Sequence, residues 1–366
     1  MPGLMLYAGQ GWADSFQQTL SGHASEEYVT NPLLNPADQG LSAWRSMIEP
    51  SYMLTDNLGA NVLNAGLDFM LVRSSNTSIS ADRNNPTATL GWKHLNDKGQ
   101  FDISSAYNES ETIMNEPSAI GLVSANSTRT SRNFAADWSR ELGERTTLKL
   151  NGAYADITFS GSSNNINLSD YTSESGGMNF NHVWSEHTAT FVNFSYVNLV
   201  PTASSGPSSR QYNARLGLNW NSSARLDWTL QAGPSRLENA GSVAGGTTSL
   251  QGGLTMNYKG QLANLSLSAN RQSTPSGLGA IITADQLNGS MSYDFGERSK
   301  AGIDLGWRKN DYLTGNLYRT AGVWLHRDLS PSWGMKTYFN HTSSEWGGLN
   351  PASSNLLGVS IAYINL

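Results

Sequence analysis

The sequence predicts an all-β fold: a transmembrane antiparallel up-and-down β-barrel of about 18 strands. Three observations predict it. Hydrophobic and polar residues alternate along most of the chain, short and long connections follow each other in turn, and aromatic residues gather near the short connections. Successive strand residues point to opposite faces of a sheet, so this alternation suits a wall with lipid on one side and water on the other. A barrel of 16 strands is the alternative, because the first strand has the weakest pattern.

The composition agrees with a wall of this kind. Of the 366 residues, 38% are hydrophobic and 14% are charged, and 36 are glycine. Soluble domains usually contain about 25% charged residues. The 11 tryptophans and 14 tyrosines argue against a disordered chain. No run of about 18 apolar residues occurs, which excludes a transmembrane helix.

Several classes of function are excluded by what the chain lacks. It has no cysteine, so disulfides and thiolate metal sites cannot form. The net charge of -6 and the absence of lysine and arginine clusters argue against a nucleic-acid partner. No phosphate-binding loop and no zinc or calcium spacing is present, so we expect no cofactor and no metal.

The chain is expected to form one domain. Each strand of a barrel adds circumference, so residues 14–366 fit a single barrel. Residues 1–13 contain an apolar stretch followed by small residues, which is typical of the end of a signal peptide. A plain N-terminal arm is the alternative for this segment.

The alternation is clearest in the second half of the chain. One strand is predicted where Tyr212, Ala214, Leu216, Leu218 and Trp220 alternate with Asn213, Arg215, Gly217 and Asn219. Equivalent patterns lie near residues 63–71, 263–270 and 301–308.

Connection lengths distinguish a barrel from a soluble β-sandwich. Short turns are predicted near residues 55–59, 96–99 and 221–223, among others. Long polar stretches lie between them, at 30–42, 73–86, 109–130, 158–172, 198–210, 236–247, 271–282 and 343–353. Bacterial outer-membrane barrels have short periplasmic turns and long extracellular loops. With a first strand at residues 15–29, both termini are expected to be periplasmic.

Aromatic residues are predicted to form a belt at one membrane interface. Trp92, Trp184, Trp220, Trp228 and Trp307 are placed within a few residues of short turns. Amphipathic aromatic rings suit the level of the lipid headgroups.

The interior wall is the predicted functional site. The charged residues expected to line a pore are Arg45, Glu49, Asp68, Asp102, Asp137, Lys149, Arg215, Asp227, Asp304, Arg308 and Lys336. Their signs are mixed, which predicts modest ion selectivity. Neutral Asn, Ser, Thr and Gln dominate between them and suit a hydrated solute such as a sugar chain.

An enzyme is not expected. No Gly-x-Ser-x-Gly motif is present, and His94, His182 and His341 fall on or near the lipid-facing side at strand ends. An interfacial role explains these histidines better than catalysis.

Short motifs give a resemblance to outer-membrane barrel proteins that occur with bacterial exopolysaccharide export and exosortase-type systems. The motifs are Glu27-Tyr-Val-Thr-Asn-Pro, Ile48-Glu-Pro-Ser-Tyr, Arg83-Asn-Asn-Pro, Leu90-Gly-Trp and Ala135-Ala-Asp-Trp-Ser-Arg-Glu-Leu-Gly-Glu-Arg. The resemblance covers about the first 200 residues and implies a bacterial outer membrane and an export role.

The resulting hypothesis is an outer-membrane pore for hydrophilic solutes, with saccharide or exopolysaccharide export first. A general diffusion porin and a barrel that sheathes or anchors a partner protein are the alternatives. The expected partners are membrane lipid and lipopolysaccharide, a saccharide solute, and an export-system or other protein. Gating is expected from the outer loops, especially residues 109–130.

Overall fold

The chain forms a closed ring of 18 antiparallel strands. The computed structural model describes residues 16–36, 40–112, 126–161, 168–202, 208–239, 246–310, 316–346 and 350–365. The strands are β1 Phe16–Thr30, β2 Ser42–Leu58, β3 Asn61–Ser74, β4 Arg83–Asn96, β5 Gly99–Glu111, β6 Thr128–Gly143, β7 Thr146–Ser160, β8 Tyr171–Ser185, β9 Thr188–Pro201, β10 Ser209–Ser223, β11 Leu226–Asn239, β12 Thr247–Lys259, β13 Ala263–Pro275, β14 Ile281–Gly296, β15 Ser299–Asn310, β16 Asn316–Asp328, β17 Trp333–Trp346 and β18 Ala352–Ile364.

Each strand pairs with its neighbours in sequence, and β1 pairs with β18. The predicted up-and-down barrel is therefore confirmed, with 18 strands rather than 16. Among the described residues, no helix is long and apolar enough to cross a membrane. The segment 1–13, predicted as a signal-peptide remnant or arm, lies outside the described residues.

Connections sort by length between the two ends of the barrel. Eight turns of two to four residues lie at one end, and nine connections of 5 to 16 residues lie at the other. We call these the short-turn end and the long-connection end. β1 begins and β18 ends at the short-turn end. One predicted loop is wrong: the polar stretch 271–282 is largely strand, because β13 continues to Pro275 and β14 begins at Ile281.

The two faces of the wall differ as the alternation predicts. In β2, Trp44 is 58% exposed, whereas Ala43 and Arg45 on either side are 1% and 3% exposed. Within the described residues, exposed large apolar side chains occur on every strand except β5, and Leu216 and Leu250 are among the most exposed. Soluble proteins rarely expose a continuous apolar surface of this extent.

The aromatic belt is present at the short-turn end. Trp92, Trp184, Trp220 and Trp333 are exposed on the outer face there. Trp307 does not belong to this belt, contrary to the prediction. It lies eight residues beyond the start of β15, in the half of the barrel nearer the long connections.

Glycines on the inner face make room for aromatic rings of the neighbouring strand. A Cβ at Gly302 would overlap the indole of Trp324. Trp324 Nε1 donates a hydrogen bond to Asp304 at 3.0 Å. Aromatic rings that cover cross-strand glycines are a recurrent way to fix strand register.

Gly302→Ala is expected to lower the free energy of unfolding by about 1–3 kcal/mol, because the added methyl group displaces Trp324 and breaks its bond to Asp304. The measurement is the urea midpoint of the barrel refolded in lipid vesicles. Gly22→Ala is the matched control, since a Cβ at Gly22 meets no atom within 4 Å. Equal midpoints for the two variants would contradict the prediction.

Candidate functional site: the barrel interior

All eleven predicted pore-lining residues lie on the inner face. Strand pairing shows this for four of them. Arg45 is opposite Glu27 and Asp68 is opposite Ser51. Asp102 is opposite both Lys93 and Asp137. The remaining seven, Glu49, Lys149, Arg215, Asp227, Asp304, Arg308 and Lys336, occupy inward register positions on β2, β7, β10, β11, β15 and β17. That they line a path for solute stays a prediction.

Opposite charges are interleaved along part of the inner wall. Lys93 and Asp102 form an ion pair with 4.0 Å between Nζ and the carboxylate oxygen. Lys336 Nζ lies 5.2 Å from the centre of the Trp324 ring, within range of a cation–π interaction. Asp137 faces Asp102 across the strand pair, which gives this part of the wall two adjacent carboxylates.

Two inner arginines have no carboxylate within ion-pair distance among the described residues. Arg215 donates a hydrogen bond to the side-chain oxygen of Gln251 at 2.9 Å, and its Nε is buried without a partner there. In Arg308, one terminal nitrogen is likewise buried and unbonded within the described part of the chain. Buried guanidinium nitrogens without acceptors carry a desolvation cost, and an anion in the interior would relieve it.

A buried ion cluster ties the end of β5 to β2 and β4. The Glu111 carboxylate lies 3.0 Å from the guanidinium of Arg45 and 3.8 Å from that of Arg83, and its side chain is 1% exposed. Arg83 also donates to the hydroxyl of Thr128 and, at 2.8 Å, to the side-chain oxygen of Asn126. The cluster therefore fixes both ends of the β5–β6 connection to the inner wall. Within the region predicted to gate, residues 113–125 lie outside the described residues.

The outer part of the β13–β14 hairpin folds into the barrel. Ile281 packs against Ile157, Tyr171 and Leu199, which are inner residues of β7, β8 and β9. Ile281 and the adjacent Ile282 are both buried, so both faces of the hairpin are covered. The hairpin tip also accepts a backbone hydrogen bond of 2.7 Å at Gly277 from the amide of Ser169.

Polar contacts attach this hairpin to the wall that it crosses. Gln251 of β12 donates to the Ser273 hydroxyl at 2.6 Å. Gln211 of β10 donates to Ser235 at 2.9 Å and to Gln251 at 3.4 Å. Strands β10 and β14 are four places apart in the ring, yet their Cα atoms approach within 8 Å. The wall is therefore pinched here, and the interior is narrower than an open 18-stranded ring would leave.

A second, smaller infolding lies beside the joint between β1 and β18. Val29, Leu33, Ala43 and Ile79 form a buried apolar cluster from β1, β2 and the two connections beside them. Asn31 fixes the β1–β2 connection, because its side-chain nitrogen Nδ2 donates a hydrogen bond to the backbone carbonyl of Ser353 at 3.1 Å.

Several interior residues lie outside the set predicted from the sequence. Glu27 accepts a hydrogen bond of 2.6 Å from the Tyr338 hydroxyl, across the joint between the first and last strands. Glu111 occupies an outward register position, so alternation could not have placed it inside. The Ile281-Ile282 pair within a polar stretch was the one signal that could have identified the hairpin as an internal element.

The histidines give no catalytic arrangement among the described residues. His94, His182 and His341 face outward as predicted and hydrogen-bond to Asn61, Thr146 and Asn355. Within the described ranges, no hydrogen bond joins a histidine ring to a serine hydroxyl. Within the same ranges no group of three potential metal ligands occurs.

The ring of strands, with its apolar outer face and polar inner face, places the chain in the class of closed antiparallel β-barrels that membrane proteins use. Solved structures share this fold at low sequence identity. OccAB2 of Acinetobacter baumannii matches with a TM-score of 0.58 and 10% identity, over 98% of this chain and 99% of that one. OpdK of Pseudomonas aeruginosa, solved with vanillate, matches with 0.56 and 14%, over 96% and 99%.

A further structure of OpdK, described as an outer membrane protein, matches with a TM-score of 0.54 and 13% identity, over 95% of this chain and 99% of that one. No protein-family model matches the sequence, and no curated protein sequence matches it. The similarity therefore shows the fold.

Proposed function

We propose that this protein is a bacterial outer-membrane pore that passes small hydrophilic solutes by diffusion. The observation that carries the proposal is the contrast between the two faces of a closed 18-stranded wall: apolar side chains outside, and polar and charged side chains, among them Arg215 and Arg308, inside. Barrels of 16 to 18 strands leave an aqueous channel unless loops fill it. The fold shared with an outer membrane protein supports the location.

The orientation follows from the connections. In bacterial barrels the short turns face the periplasm. We therefore place the short-turn end, and with it both chain ends, on the periplasmic side.

Solute size is set by the infolded β13–β14 hairpin. It crosses the interior face of β10 to β12 and narrows the passage near the long-connection end. A small solute suits such a passage better than a polymer, so general diffusion ranks above exopolysaccharide export. The saccharide hypothesis keeps the neutral hydrogen-bonding wall as its support, and the scaffold hypothesis stays a prediction without a specific observation behind it.

Anionic solutes are expected to be preferred modestly over cations. Arg215 and Arg308 lack carboxylate partners among the described residues and lie toward the long-connection end, where the passage is narrowed. The inner carboxylates of Asp137 and Asp227 lie nearer the short-turn end, and Asp102 is paired with Lys93. The solved OpdK structure contains vanillate, an organic anion, which agrees with this preference.

Purified protein in a planar bilayer is expected to give discrete conductance steps with an anion-to-cation permeability ratio above unity. Replacing Arg215 and Arg308 by glutamine is expected to move the ratio below its wild-type value, because two unpaired positive charges leave the wall. The ratio is measured from reversal potentials in a salt gradient.

Arg132→Gln is the control, since Arg132 lies on the outer face, paired with Asp156 at 3.1 Å. A silent bilayer with correctly folded protein would reject the open pore. An unchanged permeability ratio in the double variant would show that these two arginines do not line the solute path.

A further inference from the structure

A groove runs across the outer face of β11 to β16. It encloses about 610 Å³ and is lined almost entirely by apolar side chains. Ala269 and Gly289 form its floor. Met256 stands on one side and Leu305 on the other, and Arg319 lies at its edge.

The groove follows from side-chain size along two rows of the sheet. One row reads Met256, Leu267, Gly289, Leu305, and the next reads Leu254, Ala269, Leu287, Trp307. Each row has a small residue between larger ones, which leaves a depression on the pleated surface. Toward the long-connection end, the pairing of β12 with β13 stops at Gly252 and Arg271, where the β13–β14 hairpin turns into the barrel. The inward bend of the wall deepens the depression on the outside.

Positive charge stands above the groove, toward the long-connection end. Arg319 is paired with Trp307 in register. Lys309 is the next outward-facing residue of β15 after Trp307, toward the long-connection end. Arg319 is paired with Glu345 at 3.0 Å and remains half exposed. Lys309 is exposed and has no ion pair within the described residues. With the Arg271–Asp285 pair beside them, this rim carries three cations and two anions.

We propose that the groove holds an acyl chain of a phosphorylated lipid of the outer leaflet, with the lipid phosphate bound by Lys309 and Arg319. Lipid tails are as apolar as leucine, so a particular lipid is held by shape and by its headgroup rather than by hydrophobicity alone. The concave floor supplies the shape. Arginine and lysine supply charge-assisted hydrogen bonds to phosphate oxygens at headgroup level. The inference depends on the proposed outer-membrane location, not on conduction.

The test uses the full-length barrel in detergent and lipid A carrying two phosphates. Native mass spectrometry measures how much lipid stays bound, with dephosphorylated lipid A as the comparison ligand. Wild-type protein is expected to retain the phosphorylated lipid selectively. The Lys309→Gln, Arg319→Gln double variant is expected to retain at least about tenfold less of the phosphorylated lipid than the wild type. The reason is that each cation near a membrane surface contributes to anionic-lipid binding. Ala269→Leu fills the floor and is expected to reduce retention of both lipids.

Matched controls lie elsewhere on the outer face. Ala65→Leu adds the same volume on β3, and Arg132→Gln removes an outward arginine that is ion-paired like Arg319. Retention in the rim and floor variants equal to that in these controls would overturn the proposal. A dimer that dissociates in Ala269→Leu would also overturn it, by assigning the groove to a second copy of the chain. The same samples are tested for conductance in bilayers, so a silent but lipid-retaining barrel would reject the pore and leave the lipid site standing.

Discussion

Shortening the β13–β14 hairpin is expected to raise the single-channel conductance severalfold. The variant removes residues 273–283 and joins Gln272 to Ala284 through Asn-Gly. These two residues are paired in the wild-type sheet, and Asn-Gly is the preferred two-residue turn between antiparallel strands. The deletion takes Ile281 and its neighbours out of the interior, so the passage approaches the width of an open 18-stranded barrel. Conductance is recorded in planar bilayers at fixed salt.

Arg271→Gln is the control for this deletion, because Arg271 belongs to the same hairpin but faces outward, paired with Asp285 at 2.9 Å. It is expected to keep the wild-type conductance. If the shortened barrel folds and conducts like the wild type, the narrowest point lies elsewhere, and the ion cluster around Arg45 becomes the candidate.

Glu111→Gln is expected to lower the free energy of local opening at the long-connection end of β5 by about 3–5 kcal/mol. This is the usual cost of removing one partner from a buried ion pair. The substitution leaves the guanidinium groups of Arg45 and Arg83 buried beside a neutral amide. Both arginines are nearly inaccessible, so water compensates poorly. Hydrogen exchange of the β5 amides measures the effect, since it reports the free energy of local opening.

Asp156→Asn provides the comparison for a solvent-exposed pair. It removes the partner of Arg132, which is 63% exposed, and is expected to change stability by about 0–1 kcal/mol. Replacing Arg45 and Glu111 together by apolar residues is expected to recover part of the loss, because no unpaired charge remains at that point. Equal exchange rates in Glu111→Gln and Asp156→Asn would contradict the assigned role of the cluster.

Alternation in the sequence was sufficient to predict the barrel and the orientation of its side chains. The side-chain period of a strand is two, so once Leu216 is assigned to the outer face, Arg215 must point inward. Pairing between neighbouring strands then extends this assignment from one strand to the next, as from Arg215 of β10 to Asn193 of β9. Connection lengths were sufficient to predict which end of each strand lies at the short-turn end and which lies at the long-connection end.

Contacts made where strands leave the regular wall could not be predicted in this way. Glu111 has an outward position by period but turns inward with the end of β5, and its partners Arg45 and Arg83 are distant in sequence. The hairpin around Ile281 looks like a polar loop because its sequence is rich in serine, threonine and glycine. Its burial depends on Ile157, Tyr171 and Leu199, whose positions follow only from the closed ring.

The pairing of β1 with β18 also constrains how the chain can fold. Ser21 pairs with Ile364 and Val29 with Leu356, so the joint connects the beginning of the described chain to its end. Until that joint forms, both outermost strands present unpaired amide and carbonyl groups, which is the arrangement that promotes association between chains. Contacts of such long sequence separation also form slowly, because the ends of a long chain must first meet. A chain that lacks β18 would therefore leave β1 open along its length, and we expect it to aggregate rather than form a smaller barrel.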